Sequence, residues 1–101
     1  MRLNRAAGIH VYRILQESLN NVARHSGTRS AAVRLRGSDT ALELEVEDHG
    51  SGLGGSTDGT GLGIITMRER AELVGGTIEF SRPPSGGTLV RLHVPAGAGA
   101  A

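Results

Sequence analysis

The chain of 101 residues is expected to fold as an α+β domain, a two-layer sandwich with helices on one face of a mixed β-sheet. Three observations lead there. Apolar residues recur at helical spacing in two stretches, they alternate with period two in two others, and two more stretches read as strands around a turn. The resulting order is helix, two strands, loop, helix, two strands. Hairpins outnumber crossovers in that order, which favours segregated layers over a doubly wound sheet. A chain of this length supports one modest core.

Residues 1–8, MRLNRAAG, read as a linker or frayed start, and the domain is expected over 9–95. From Ile9 to His25, Val11, Ile14, Leu15, Val22 and Ala23, with small Ser18, recur at spacings of three and four. That predicts an amphipathic helix with Leu19 at its margin and Gly27 as a left-handed cap. Ala31 to Arg36 and Ala41 to Asp48 both alternate, joined by the hairpin loop Gly37-Ser38-Asp39-Thr40. Arg34 and Arg36 then oppose Glu43 and Glu45, a pattern usual for a solvated sheet face. Ile64 to Val74 predicts a second helix through Ile64, Met67, Ala71 and Val74, stopped by Gly75-Gly76. Thr77 to Ser81 and Thr88 to Pro95 are the last two strands, around the turn at 82–87. Residues 96–101 are expected to be a disordered tail.

Composition excludes several functions. A net charge of +1 and only two aromatics, Tyr12 and Phe80, argue against nucleic acid as a partner. Without cysteine there is neither a disulfide frame nor a thiolate metal site. No apolar run approaches the roughly 20 residues that cross a bilayer, so no membrane contact is expected of this segment. A cytoplasmic setting is the default, with a parent protein free to be membrane-anchored. All eleven basic residues are arginines, so no lysine-dependent phosphate site exists here.

Seven of the sixteen glycines fall between Asp48 and Gly63. So dense a run suits either a flexible connection or a backbone that approaches a ligand closely. In Asp48-His49-Gly50-Ser51-Gly52, a carboxylate at a strand end stands at the mouth of a pocket floored by backbone. It can accept a hydrogen bond from an exocyclic amino group such as that of adenine, although Asp-x-Gly also marks ordinary turns. Gly59-Thr60-Gly61-Leu62-Gly63 exposes backbone N–H groups at a helix start, a ready anion site. On the first helix Glu17, Asn21, Arg24 and His25 form one polar strip. Their chemistry suits a hydrated Mg²⁺, which takes only one or two protein oxygens, together with a phosphate chain held by Arg24 and His25. The plain alternative is a solvated helix face. Against it stand the adjacent Asn20 and Asn21, both poor helix formers.

Familiar motifs fail. Gly50-x-Gly52-x-x-Gly55 matches the dinucleotide fingerprint in letters, but no helix begins within it. A P-loop needs lysine, the four histidines lack zinc spacing, and no serine occupies a nucleophile elbow.

Taken together and in this order, the three blocks resemble the ATP-binding catalytic domain of sensor histidine kinases. These belong to the wider superfamily (HATPase_c, the GHKL or Bergerat fold) of gyrase-type topoisomerases, Hsp90-type chaperones and mismatch-repair ATPases. YRILQESLNNVARHS resembles the N box, VEDHGSGL the first glycine box, and GTGLGIITMRERAELVGG the second with its helix. GGTLVRLHVP is similar to the closing strand. YRILQE paired with GLGIITMRER is most similar to the NarL-type (HisKA_3-associated) subfamily.

The resemblance implies ATP and Mg²⁺ as cofactors, with Asn21 on the metal and Glu17 assisting catalysis. It places Asp48 on the adenine amino group and Thr88 near the adenine. Gly50, Gly52, Gly59, Thr60, Gly61, Leu62 and Gly63 fall on nucleotide-binding positions, and Ser51 to Thr60 becomes a short lid. The γ-phosphoryl group of ATP is then expected to pass to a histidine on a separate dimerisation and phosphotransfer domain of the same receptor, a homodimer when full length. A cognate response regulator follows downstream.

Two departures stand out. The family domain begins with a strand before the first helix, so an N-terminal strand reads as truncated. Thr60 stands where the second glycine box usually has histidine. His10 lies within the first helix and reads as a surface residue, so the acceptor histidine is expected elsewhere. Two other readings stay open. One is a non-catalytic nucleotide- or partner-binding module, permitted by the short lid and Thr60. The other is an anti-sigma-type serine kinase, against which Met67-Arg68-Glu69-Arg70 counts.

Overall fold

The computed structural model describes residues 5–25, 31–49, 62–84 and 86–95. Helix α1 runs over Arg5–His25, earlier than the apolar periodicity begins. Alanine is the best helix former, so Ala6 and Ala7 carry the helix back, and Ala7 is buried in the core. Strands β1 (Ala32–Gly37) and β2 (Ala41–Asp48) form the first hairpin. Its turn is closed by the Ser38 N–H donating to the Ala41 carbonyl at 2.9 Å. The Ser38 hydroxyl also accepts from the N–H groups of Thr40 and Ala41, a local bond that favours turns over regular structure.

Helix α2 (Leu62–Leu73) follows the glycine run. It ends in a Schellman cap: the Gly76 N–H donates to the Ala71 carbonyl and the Gly75 N–H to the Glu72 carbonyl, each at 2.9 Å. Gly75, at φ 69°, supplies the left-handed residue this cap needs. Strands β3 (Thr77–Ser81) and β4 (Thr88–Pro95) complete the chain.

The sheet order is β1-β2-β4-β3, and all three pairings are antiparallel. A mixed sheet was expected, and α2 does make a crossover between β2 and β3. That crossover does return the chain in the same direction. β4 inserts between the two parallel strands and pairs with both, so among the described residues no parallel neighbours remain.

Alternation puts Leu44 and Val46 of β2 with Val90, Leu92 and Val94 of β4 on one face. Against them pack Ile14, Val22, Ile64, Met67, Ala71 and Val74 of the helical layer. Ile14, Met67, Leu92 and Val94 are fully buried. Small Ser18 lets the helices approach: its hydroxyl donates to the Ile14 carbonyl at 2.8 Å and lies 3.5 Å from the Met67 sulfur. Along β1, Val33 and Leu35 pair with Val46 and Leu44 and so share the core face, yet they remain 45% and 61% exposed. The helices cover β2, β4 and β3 and leave this edge open.

The opposite face carries charge. Arg34 Nε and Arg91 Nε donate to the two Glu45 carboxylate oxygens at 2.9 and 2.8 Å, and Arg34 Nη2 also reaches Glu47 at 2.8 Å. Glu45 is only 7% exposed. The cover comes from the arginine side chains lying over it, not from depth within the protein. This face is therefore more organised than a solvated pattern of alternating charge. The hydrogen bonds from Arg34 and Arg91 hold the Glu45 carboxyl below its ordinary value.

A depressed carboxyl stabilises the fold fully above its unfolded value of about 4.3, and that contribution is lost as pH falls through the folded value. Glu45→Gln is therefore expected to cost about 1 kcal/mol near neutral pH, at the upper end for a surface ion pair. The difference from the parent chain should shrink steadily below about pH 4. Thermal melts of both proteins across that range measure it.

Candidate functional site

Two groups of the predicted site residues are assembled. The first lies between α1 and α2. Residues three and four apart share a helix face, so α1 presents Glu17, Asn21 and Arg24 along one flank. Arg24 Nη2 is 3.3 Å from Glu17 Oε1. The Glu17 carboxylate rests against the first turn of α2 at Gly63, where an added Cβ would collide with Oε1. Asn21 is half-buried one turn beyond Glu17.

Around Glu17 opens a cleft of roughly 340 Å³ lined by Arg13, Gln16, Glu17, Arg24, Gly63, Thr66, Met67 and Arg70. Arg13 Nη1 donates to Gln16 Oε1 at 2.9 Å. Arg70 Nη1 lies 3.0 Å from His10 Nδ1 and ties α2 to α1. His10 is thus half-buried in the interhelical contact and not a free surface residue.

The second group lies at one end of the sheet. Asp48, the last residue of β2, pairs in register with Thr88, the first of β4. By alternation both share the helix-facing side with Val46 and Val90. They are 4% and 6% exposed. Gly87 adopts φ 83°, and an added Cβ would strike the Asp48 carbonyl oxygen, so the glycine lets the last hairpin close against the end of β2.

Gly50, Gly52, Gly59, Thr60 and Gly61, the lid Ser51 to Thr60, and the side chains of His25 and Leu62 lie outside the described residues. Among the described residues no three His, Cys, Asp or Glu side chains cluster as metal ligands. Magnesium needs no such cluster when it keeps its waters, and a half-buried asparagine amide beside a carboxylate suits it.

Sequence reasoning missed Arg13 and Arg70 in the cleft and Gly87 behind Asp48. Arg13 was legible, because it sits one turn before Glu17 on the same strip. Arg70 required the packing of α2 on α1.

The two-layer arrangement is the fold of histidine kinase ATP-binding domains. It superposes on the histidine kinase domain of a blue-light-activated kinase from Erythrobacter litoralis with a TM-score of 0.74 at 24% identity, covering 93% of this chain and 46% of that one. On the ATP-binding domain of PrrB from Mycobacterium tuberculosis the TM-score is 0.71 at 23% identity, covering 87% and 68%. The sequence carries the relationship further. Residues 6–98 match the family described as histidine kinase-, DNA gyrase B- and HSP90-like ATPases, and the chain belongs to that family.

Its relatives include the oxygen sensor histidine kinase NreB of Staphylococcus carnosus, 40% identical over 87 residues. The nitrate/nitrite sensor protein NarQ of Escherichia coli is 36% identical over 86 residues. These alignments cover 84% and 83% of this chain but only 25% and 15% of the relatives. The kinship with NreB and NarQ agrees with the NarL-type subfamily signature.

Two glycine substitutions separate the groups by stability. Gly87→Ala forces a side chain into left-handed backbone and against the Asp48 carbonyl, and should destabilise by about 2 kcal/mol. Gly63→Ala meets only the far end of the flexible Glu17 side chain and gains helix propensity. Its thermal midpoint should stay within about 2 °C of the parent. Calorimetric melts of both variants test this contrast.

Proposed function

We propose that the chain binds ATP with Mg²⁺ and serves as the catalytic domain of a sensor histidine kinase. The γ-phosphoryl group passes to a histidine on a separate dimerisation domain of the same receptor. The observation that carries this reading is the buried Asp48 beside Thr88 at the helix-facing end of the sheet. An ionised carboxylate only accepts hydrogen bonds. At this position it is suited to accept the adenine amino hydrogen, with the Thr88 hydroxyl alongside.

Asn21 would hold the magnesium, with Arg24 and His25 donating to phosphate oxygens. The backbone from Gly59 to Gly63 would take the phosphate chain, with Gly50 and Gly52 permitting close approach. Magnesium, when bound, offsets the charge that gathers on phosphate oxygens during transfer.

Glu17 is positioned by Arg24 and Gly63 to accept the proton of the incoming imidazole. The imidazole nitrogen bonds to the terminal phosphorus as the bond to the bridging oxygen breaks, and ADP leaves with that electron pair. Such a reaction asks the protein for placement and charge neutralisation, not for a nucleophile of its own. The full-length receptor acts as a homodimer and passes the phosphoryl group to a cognate response regulator. The domain works in the cytoplasm, whether or not its parent is anchored. Among the described residues no helix is long and apolar enough to cross a membrane.

Titration calorimetry with ATP and Mg²⁺ tests the reading. The chain should bind, and Asp48→Asn should weaken binding at least about tenfold, or 1.4 kcal/mol. Unchanged affinity in that variant, with the fold intact, would remove Asp48 from the site and the proposal with it.

A further inference from the structure

The cleft between α1 and α2 holds more positive charge than the nucleotide site assigns. Among the described residues Arg13, Arg24 and Arg70 line it against the one carboxylate of Glu17, and Glu17 pairs with Arg24. Arg13 and Arg70 have no carboxylate partner among the described residues. Each is held by a group that carries no negative charge, Arg13 by the Gln16 amide and Arg70 by the His10 ring. These contacts orient both guanidinium groups without neutralising them, and each keeps further N–H donors for an incoming anion.

Their place in the helical layer, Arg13 on α1 and Arg70 on α2, selects the anion. At 1.5 Å per residue, Arg13 stands about 12 Å before Asn21 along the helix axis, with Glu17 midway. Asn21 and Arg24 mark the phosphate end in the functional reading above, on which this inference rests. Arg13, and Arg70 through its contact with His10, lie beyond Glu17 from that end; in the same reading Glu17 takes the acceptor's proton, so the acceptor belongs on their side of the phosphate. We propose that Arg13 and Arg70 form a docking seat for a carboxylate side chain on the histidine-bearing domain. The seat sets the acceptor imidazole against Glu17 and the terminal phosphate. Both arginines are positioning residues: they bind the partner and do not touch the reacting atoms.

The test uses the full-length receptor with Arg13→Gln and Arg70→Gln. Three quantities are read: affinity for a fluorescent ATP analogue with Mg²⁺, transfer of label from γ-labelled ATP at saturating nucleotide, and thermal midpoint. Each variant should keep nucleotide affinity within about twofold while transfer falls about tenfold or more. The residual transfer should also depend less on salt than in the parent, because a charge contact has been removed. Among the described residues Arg13 bonds only a neighbouring amide on its own helix, so Arg13→Gln keeps the fold even if Arg70→Gln loosens α2. Equal losses of affinity and transfer would assign the arginines to the nucleotide and overturn the seat. So would unchanged transfer in a folded Arg13→Gln. A parent receptor that binds no nucleotide would instead overturn the functional reading itself, an outcome separate from either.

Discussion

The resting place of the Glu17 carboxylate depends on the absence of a side chain at position 63. Because Gly63 presents only backbone, the first turn of α2 lies directly against the Glu17 carboxylate. That approach continues down the interface, where Ser18 has a small side chain and Met67 is fully buried against it. The helical layer is therefore tight where the polar strip of α1 runs along its flank. Arg24 and the bare turn of α2 set where the Glu17 carboxylate rests. Under the proposed function, placement of this kind costs nothing at the moment of reaction.

Charge divides between the two faces of the sheet. A net charge of +1 conceals an asymmetry. On the outer face Glu43, Glu45 and Glu47 are matched by Arg34, Arg36, Arg91 and His93 in a cross-strand lattice. Over the helical layer the arginines outnumber their acidic partners in the interhelical cleft. The first arrangement secures the sheet, and the second leaves a field for an anionic ligand or partner. Arginine serves both because its planar fork pairs with carboxylate and phosphate alike.

Much of the fold was legible. The bounds of β2, β3 and β4 follow the period-two alternation residue for residue, since strands buried on one face must alternate. The start of α1 was hidden because Ala6 and Ala7 add helix propensity without an amphipathic signal. Strand order was hidden too, because chain order does not reveal that β4 inserts between β2 and β3. In the site, the strip Glu17-Asn21-Arg24 follows from helical spacing alone. Arg70 could not be found that way, since its partner His10 lies 60 positions away. Nor could the fit of Gly87 behind Asp48, which exists only once the last hairpin closes.

The central claim is that the strip on α1 and the carboxylate at the end of β2 are two walls of one nucleotide site. Backbone amide NMR during titration with ATP and Mg²⁺ tests it most directly. The account predicts that the amides of Asn21, Asp48 and Gly63 shift together and fit a single dissociation constant. Shifts confined to the helices with Asp48 unmoved, or separate constants for the two groups, would contradict it.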